Sequence, residues 1–371
     1  GKWWTLMHRL SELIEDMGYE LLCGDISCEI KDIIYDSRKA APDTVFVCMK
    51  GSRIDPHSFI PEVYEKGCRA FVISEPSLVP EELKESNAAF VLCRDTRRAL
   101  SLMSQVFFDH PAERLRLIGL TGTKGKTTTA YMIKSILEHA GHRTGIIGTV
   151  GCGIGEETFP TANTTPESYE LQRFLSMMVE ASCSHAVMEC SSQGFKMGRL
   201  HGLRFDAGAF LNISPDHIGP TEHADFEEYL SCKAELAPAS EHFYYNAFAD
   251  HIDELFSIAG MDPKSQSVSS FGLLPEGWDR ELPDVYGFGQ RLVEDGAFAG
   301  TEFSFMAPGV ERSLRLSMPG DHNVENALCA AAVCLGLGVH IDTIAEALSL
   351  VRVNGRMENV YAGHGFRVLI D

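Results

Sequence analysis

Hydrophobic residues occur in short runs separated by segments of helical spacing, a pattern typical of α/β proteins. Near the N-terminus, buried strands are predicted at three apolar runs, residues 44–49, 70–74 and 88–92. A helix is then predicted up to Phe108, because Asp95 can cap its start and Pro111 cannot continue it. We therefore predict a small N-terminal α/β domain over residues 1–111.

A second α/β domain is predicted over residues 112–371. It begins with an apolar run from Leu115, followed by a glycine-rich turn, a helix to Ala140 and a second strand at 144–149. Strand, helix and strand in this order predict a βαβ unit and a mostly parallel sheet. Turn residues and strand-like alternation between 265 and 309 predict an antiparallel extension.

The composition fits a globular protein of about two domains, with 371 residues, 44% hydrophobic and 23% charged. No apolar window reaches the roughly 20 residues that a membrane span needs, and no signal peptide is recognisable, so we predict a cytoplasmic protein without a membrane partner. The net charge of −20 without a basic run argues against a nucleic-acid partner. The 11 cysteines include no C-x-x-C pair, which predicts reduced cysteines and no zinc site.

The strongest chemical signal is the glycine-rich turn, TGTKGKTT at residues 121–128. It contains Gly-x-x-Gly-Lys-Thr, a shortened form of the nucleotide phosphate loop. The glycines let backbone N–H groups approach phosphate oxygens, and the following helix points its positive N-terminus at the anion. Lys126 is expected to neutralise the β- and γ-phosphates, and Thr127 to offer its hydroxyl to Mg²⁺.

Two more polar residues, Glu189 and His217, follow apolar runs and are expected at the carboxyl ends of parallel strands, where ligands bind in open α/β sheets. From the residues alone, each is either a Mg²⁺ ligand or a buried side chain with satisfied hydrogen bonds. Mg²⁺ prefers oxygen ligands, so His217 is the weaker candidate.

Other polar segments have simpler interpretations. The NTTP segment at 163–166 precedes a predicted helix through Met177, and its spacing alone favours an ordinary helix cap. The DSR triplet at 36–38 fits a surface salt bridge as well as a ligand contact. His57 and His223 show no ligand pattern, so core or surface roles are favoured for both.

Taken together, these segments resemble the Mur ligase family, ATP-dependent enzymes that add amino acids to the cytoplasmic precursor of the cell wall. The segments occur in the family's order over nearly the whole chain. They are TGTKGKTT at 121–128, NTTP at 163–166, ECSS at 189–192, LNISPDH at 211–217, YLSCK at 229–233, PGDHNVENAL at 319–328 and NGRME at 354–358. The DSRKA segment at 36–40 is similar to the uridine-binding domain of the branch that adds the third residue of the peptide.

The resemblance implies a UDP-binding N-terminal domain followed by a P-loop ATPase domain. It implies a ligase of peptidoglycan synthesis that joins a diamino acid, meso-diaminopimelate or L-lysine, to UDP-N-acetylmuramoyl-L-alanyl-D-glutamate through an acyl phosphate. Family members carry a further C-terminal amino-acid-binding domain. We expect this chain to lack that domain, and to be inactive or weakly active alone.

The resemblance also implies roles for individual residues, with ATP and Mg²⁺ as cofactors. The implied ATP-binding loop residues are Gly122, Thr123, Gly125, Lys126, Thr127 and Thr128. The implied contacts to adenine, phosphate and ribose are Asn323, Asn326, Arg356 and Asp371. The implied contact to the UDP end is Ser37. The implied contacts to the diphosphate and muramoyl peptide are Asn163, Thr164, Thr165, Ser191 and Arg199. The implied metal ligands are Thr127, Glu189, His217 and, once carbamylated, Lys233. The implied catalytic residues are Lys126, Glu189, His217 and Lys233.

One departure from the family pattern is Gln193, since this branch usually carries histidine after the serine pair. The alternative interpretation is therefore a non-catalytic Mur-like nucleotide-binding or regulatory protein, although Glu189, His217 and Lys233 together favour the enzyme. Folylpolyglutamate and cyanophycin synthesis share the ATP core, but the N-terminal domain with its DSR triplet argues against both. The identity of the amino acid and the oligomeric state are left open.

Overall fold

The computed structural model describes residues 7–215, 218–219 and 222–352, together with the backbone of two strands at 358–362 and 366–370. By their internal contacts the residues form two compact units. Unit 1 consists of Gly1–Pro111, Pro166–Ser176 and Met197–Gly202, and unit 2 of Ala112–Thr165, Met177–Lys196 and Leu203–Asp371.

Unit 1 contains a short, mostly parallel sheet and a separate two-stranded sheet. Its strands are β1 (His8–Arg9), β2 (Glu20–Cys23), β3 (Glu29–Ile30), β4 (Asp32–Ile34), β5 (Thr44–Val47), β6 (Ala70–Ile73) and β7 (Ala89–Leu92). Its helices are α1 (Leu10–Leu13), α2 (Ile60–Glu65), α3 (Glu81–Lys84) and α4 (Thr96–Phe107). Five strands form one sheet in the order β2-β7-β6-β5-β4, parallel except for β2. All residues of β5 and β6 are buried, as expected when both faces of a parallel sheet are covered.

The strands and the helix predicted from the apolar runs of unit 1 are present. The three apolar runs form β5, β6 and β7. The carboxylate of Asp95 accepts hydrogen bonds from the backbone N–H groups of Arg97 and Arg98, which caps α4. The apolar face of α4 buries Leu100 and Met103 in the core.

Unit 2 contains a larger sheet, a separate two-stranded sheet and several helices. Its strands are β8 (Arg116–Thr121), β9 (Thr144–Gly148), β10 (Gly151–Ile154), β11 (Glu157–Phe159), β12 (His185–Glu189), β13 (Phe205–Phe210), β14 (Ser240–Asn246), β15 (Val268–Leu273), β16 (Val285–Asp295), β17 (Phe298–Ala307), β18 (Val310–Leu316), β19 (Glu358–Ala362) and β20 (Phe366–Ile370). The helices after α4 are α5 (Lys126–His139), α6 (Ser168–Glu180), α7 (Ser192–Lys196), α8 (Phe226–Ala234), α9 (Ile252–Ala259), α10 (Asp321–Gly336) and α11 (Ile341–Leu350). Helix α6 has residues in both units.

The order of the strands in unit 2 determines which loops meet. Eleven strands form one sheet in the order β11-β10-β9-β12-β8-β13-β14-β15-β16-β17-β18. The strands from β9 to β16 in this order are parallel, and antiparallel strands extend the sheet on both sides. The predicted mostly parallel sheet is confirmed, with β12 inserted between β8 and β9. The antiparallel extension predicted between 265 and 309 is only partly correct, because β15 and β16 continue the parallel sheet and antiparallel pairing begins between β16 and β17. Because parallel strands end at one edge, the residues that follow β8, β12 and β13 lie close together.

The main core of unit 2 joins residues of α5, α10 and α11 to residues of the sheet from β9 to β18. In the part of the chain that the structure describes, no helix is both long and apolar enough to cross a membrane.

Candidate functional site

The predicted phosphate loop lies between β8 and α5, at the edge where the parallel strands end. Gly125, directly before α5, has a φ of +88°, a left-handed conformation that glycine adopts without steric cost. A side chain at this position would also collide with Asn326, since a Cβ would lie 2.4 Å from Asn326 Oδ1. Helix α5 starts at Lys126, so its unpaired N–H groups and positive end lie at the loop. This geometry suits a phosphate group.

Asn212, which follows β13, fixes the shape of the loop. Its Oδ1 accepts hydrogen bonds from the backbone N–H groups of Thr123 at 3.1 Å and Lys124 at 2.9 Å. Its Nδ2 donates to the carbonyl of Lys124 at 2.9 Å. Asn212 is not among the predicted site residues. Its position directly after the apolar run that ends at Leu211 was the pattern that could have indicated it.

Thr127 and Glu189 meet beside the loop. The Thr127 hydroxyl donates to Glu189 Oε1 over 2.8 Å. Glu189 also accepts from the backbone N–H of Thr149 at 2.7 Å and from its hydroxyl at 3.2 Å. The glutamate is only 2% exposed, and these hydrogen bonds offset the cost of burying its carboxylate. A Cβ at Gly148 would lie 1.7 Å from Glu189 Oε2, so the carboxylate occupies space that only glycine leaves open. Thr149 is a second residue that sequence reasoning missed.

Two lysines place positive charge at the loop. Lys126 and Lys233 both donate to the carbonyl of Gly122, at 2.6 and 3.0 Å. Lys233 is 1% exposed, and its Nζ lies 4.6 Å from the ring centre of Tyr229. The fold buries Lys233 because α8 packs close to the loop, with the Tyr229 hydroxyl 3.0 Å from the Thr123 hydroxyl.

The oxygen atoms of Thr127 and Glu189 fit a magnesium ion. Mg²⁺ takes hard oxygen ligands and is usually held by one or two carboxylates together with phosphate oxygens and water. Among the described residues, no group of three or more histidines, cysteines, aspartates or glutamates is placed to hold a metal ion. The predicted ligand His217 lies outside the described residues.

The NTTP segment is joined to the end of β12. Thr165 Oγ1 donates to the carbonyl of Glu189 at 2.8 Å and accepts from the backbone N–H of Ser191 at 2.9 Å. Thr164 Oγ1 lies 3.3 Å from Thr149 Oγ1, and Asn163 is exposed. The segment is a loop rather than the predicted helix cap, because its hydroxyls bond to other segments and α6 begins only at Ser168.

Two of the predicted nucleotide contacts lie in α10, and Gln193 lies in α7. Asn323 and Asn326 are in the first turns of α10, 2% and 7% exposed. Asn323 Nδ2 donates to the carbonyl of Pro319 at 2.8 Å. Gln193, at the family's histidine position, has a buried Nε2 without a hydrogen-bond partner among the described residues. Arg356 and Asp371 lie outside the described residues.

In unit 1, Ser37 begins a short 3₁₀ turn, Ser37–Lys39, and its carbonyl accepts from Lys66 Nζ at 3.1 Å. The predicted surface salt bridge forms next to it: Arg38 donates to the Asp36 carboxylate, and these hydrogen bonds lower the pKa of Asp36 to about 2. Arg199 donates to Glu167 Oε1 at 3.2 Å.

The two histidines without a ligand pattern have core roles. His57 is 1% exposed, bonds to Asp55 through Nδ1 at 2.6 Å and accepts from two backbone N–H groups through Nε2. His223 is fully buried and lies 3.0 Å from the Glu228 carboxylate.

Comparison with known proteins agrees with the motifs. The model of the Mur ligase middle domain matches residues 120–334, and that of the Mur ligase family catalytic domain matches residues 29–108. The UDP-N-acetylmuramoyl-L-alanyl-D-glutamate–2,6-diaminopimelate ligase 1 of Clostridium acetobutylicum is 36% identical over 353 residues, which are 95% of this chain and 69% of that protein. The ligase of the same description from Clostridium perfringens is 35% identical over 354 residues, with the same two shares.

Solved structures share the fold. A structure described as a UDP-N-acetylmuramoyl-L-alanyl-D-glutamate–2,6-diaminopimelate ligase has a TM-score of 0.78 at 22% identity, over 96% of this chain and 69% of that one. A MurF ligase from Thermotoga maritima in complex with ADP has a TM-score of 0.56 at 18% identity, over 86% and 66% of the two chains. The matched middle domain and the curated relatives confirm what the motifs predicted, that this chain belongs to the Mur ligase family of enzymes.

Proposed function

We propose that this chain catalyses the ATP-dependent joining of 2,6-diaminopimelate to UDP-N-acetylmuramoyl-L-alanyl-D-glutamate. The support for the two substrates is the description of the curated relatives, which names both. The observation that carries the ATP-dependent step is the phosphate loop with the Thr127 hydroxyl and the Glu189 carboxylate 2.8 Å apart beside it. Diaminopimelate is preferred over L-lysine because both curated relatives described above are named for it.

In the proposed reaction, a carboxylate oxygen of the D-glutamyl γ-carboxyl attacks the γ-phosphorus of ATP, and ADP leaves. The amine of diaminopimelate then attacks the acyl phosphate carbon, inorganic phosphate leaves, and the amine loses a proton. Two anions must approach each other in the first step, so positive charge at the phosphates is the main catalytic requirement.

The chain provides this charge and the positioning. The backbone of Gly122–Thr128 and the start of α5 would bind the phosphates, and the Lys126 ammonium would stabilise the charge in transfer. Thr127 and Glu189 would hold Mg²⁺, which when bound adds positive charge at the same oxygens. Lys233 is buried at the loop, and carbamylation would convert its cation into a further anionic ligand.

The other assignments stand as parts of this proposal. Residues 1–111 would bind the UDP end through Ser37, and residues 112–371 would bind ATP. The muramoyl peptide and diphosphate would contact Asn163, Thr164, Thr165, Ser191 and Arg199. Asn323 and Asn326 would contact the nucleotide, with Arg356 and Asp371 beside them.

The test is calorimetry followed by an activity assay. The chain is titrated with UDP-N-acetylmuramoyl-L-alanyl-D-glutamate and with a non-hydrolysable ATP analogue plus Mg²⁺. Amide formation is then measured by mass spectrometry and ADP release, with diaminopimelate and L-lysine in parallel. Saturable binding of both ligands and faster reaction with diaminopimelate support the proposal. Nucleotide binding without binding of the UDP-dipeptide would indicate a nucleotide-binding regulator, and faster reaction with lysine would change the amino acid.

A further inference from the structure

A cavity of about 790 Å³ lies in unit 2 at the edge of the sheet opposite to the phosphate loop. Its wall contains residues at the amino ends of five neighbouring strands, β8, β13, β14, β15 and β16, and the last turn of α10. Strand β8 begins at this wall with Arg116 and ends at the loop with Thr121, a distance of about 17 Å at 3.3 Å per residue. The cavity is therefore separate from the site described above, and its volume is in the range that holds small ligands.

Tyr244 brings an unused hydrogen-bonding group to this cavity. The side chain is 95% buried, being 5% exposed, and it forms part of the wall. Among the described residues its hydroxyl has no hydrogen-bond partner. Burial raises the pKa of Tyr244 to about 12, so the hydroxyl keeps its proton and can both donate and accept. The oxygen is open to the cavity, so a water or ligand there can complete its hydrogen bonds.

Gly336 leaves the space that the Tyr244 hydroxyl occupies. A Cβ at Gly336 would lie 1.8 Å from the Tyr244 hydroxyl oxygen, so only glycine leaves room for it. Gly336 is the last residue of α10, where alanine would favour the helix more. The same end of α10 carries the negative pole of the helix, and its last turn contains no basic residue.

The charge of the wall is negative. Asp206, Glu241 and Asp284 line the cavity, whereas Arg116 is the one arginine or lysine among its lining residues. Asp206 uses one oxygen to accept from the backbone N–H of Leu117, and Asp284 accepts from Ser270.

An aromatic surface lies beside these carboxylates. The rings of His242 and Tyr244 pack with their centres 4.7 Å apart. His242 bonds to the Ser269 hydroxyl at 2.8 Å, and burial lowers the pKa of its imidazole. Aromatic faces next to carboxylates are the surroundings that an ammonium group prefers.

We propose that this cavity binds a small organic ammonium ion. The ammonium group lies among Asp206, Glu241, Asp284 and the negative end of α10, hydrogen-bonded to the Tyr244 hydroxyl. The apolar part of the ligand lies against the rings of His242 and Tyr244. This site is independent of the proposed ligase reaction, because none of the residues assigned to that reaction lines the cavity.

The first experiment compares two probes of similar size and opposite charge, 2-phenylethylammonium and 3-phenylpropanoate, by calorimetry and NMR on the whole chain. Saturable binding of the cation with at least about tenfold weaker binding of the anion is expected. A saturating ATP analogue with Mg²⁺ is expected to leave the affinity for the cation unchanged. Absence of saturable cation binding, or equal binding of the anion, overturns the proposal.

Variants then locate the site. Tyr244→Phe and Gly336→Ala are each expected to weaken cation binding about tenfold, and Glu241→Gln about fivefold. The matched controls are Tyr245→Phe, the next residue along β14 and outside the cavity wall, and Glu276→Gln, an exposed acid outside the cavity. Both controls should bind the cation as the parent chain does. If Gly336→Ala does not fold, Tyr244→Phe and Glu241→Gln test the site. Unchanged cation affinity in both of these variants would show that the cation binds elsewhere and would overturn the proposal.

Discussion

The Thr127 hydroxyl lies 2.8 Å from the Glu189 carboxylate, although 62 positions separate the two residues along the chain. The contact forms because β12 pairs in parallel with β8, which places Glu189 opposite Leu120 just before the phosphate loop. A carboxylate and a hydroxyl thereby meet at the start of α5, where an anionic nucleotide and its metal ion would bind. Four of the predictions below concern this carboxylate or the loop beside it.

Replacing Glu189 with glutamine should remove the metal-binding charge while keeping the volume. We expect Glu189→Gln to lower kcat of amide formation about 100-fold and to weaken the Mg²⁺ dependence of nucleotide binding. Steady-state kinetics and calorimetry at several Mg²⁺ concentrations measure both effects. Glu180→Gln, at the exposed end of α6, is the control for loss of one carboxylate. Normal turnover in Glu189→Gln would refute the metal assignment.

Lys126 should be needed for its charge at the phosphates. Lys126→Ala is expected to lose at least about 2.7 kcal/mol of transition-state stabilisation, roughly 100-fold in kcat, since it removes a preorganised donor. The matched control is Lys134→Ala on the same helix, where the lysine pairs with Glu138. Equal activity of the two variants would contradict the assigned role of Lys126.

Asn212 should act through the shape of the loop. Asn212→Ala removes its hydrogen bonds to Thr123 and Lys124, and we expect about tenfold weaker binding of the ATP analogue. Asn212→Asp keeps an oxygen that accepts from both N–H groups, so its affinity should lie between those of the parent chain and Asn212→Ala. Calorimetry gives the three affinities, and an unchanged value for Asn212→Ala would show that the loop holds its shape without this residue.

Gly148 should be required by the position of Glu189. A Cβ in Gly148→Ala would overlap Glu189 Oε2, so the carboxylate must move away from Thr127. We expect at least about tenfold lower kcat, because a small displacement of a catalytic group is costly. Gly18→Ala is the control, since a Cβ there meets no atom within 4 Å. The free energy of unfolding, measured with denaturant, separates this effect from loss of the folded state.

Stability should fall on the acid side because of His185. Burial, followed by the charges of His142 and Arg116, lowers the pKa of His185 from 6.5 to about 4. Between these values the unfolded chain binds a proton that the folded chain does not, so the free energy of unfolding decreases as the pH falls from about 6.5 to 4, by at most about 3 kcal/mol.

The check is urea denaturation across this pH range. His185→Gln should flatten the acid-side slope, whereas His139→Gln, at an exposed histidine, should leave it unchanged. An equal slope in the parent chain and in His185→Gln would mean that other groups cause the loss of stability.

The amino-acid sequence was sufficient to predict the local elements and the family. Apolar runs, the Asp95 cap and the glycine turn before Lys126 predicted strands, a helix and the phosphate loop, and the structure contains them at these places. Such features depend on residues within a few positions of each other, and for this reason they can be read along the chain. The Mur ligase motifs are short segments of the same kind, and their order along the chain was enough to identify the family.

The set of side chains around the loop depends instead on the tertiary structure. The insertion of β12 between β8 and β9 brings Glu189 to Thr127 and Thr149, and the end of β13 brings Asn212 to the loop. The packing of α8 buries Lys233, whose ammonium group donates to the carbonyl of Gly122. These contacts join residues far apart in sequence, and no local pattern encodes them, because they exist only once the order of the strands and the packing of the helices are set.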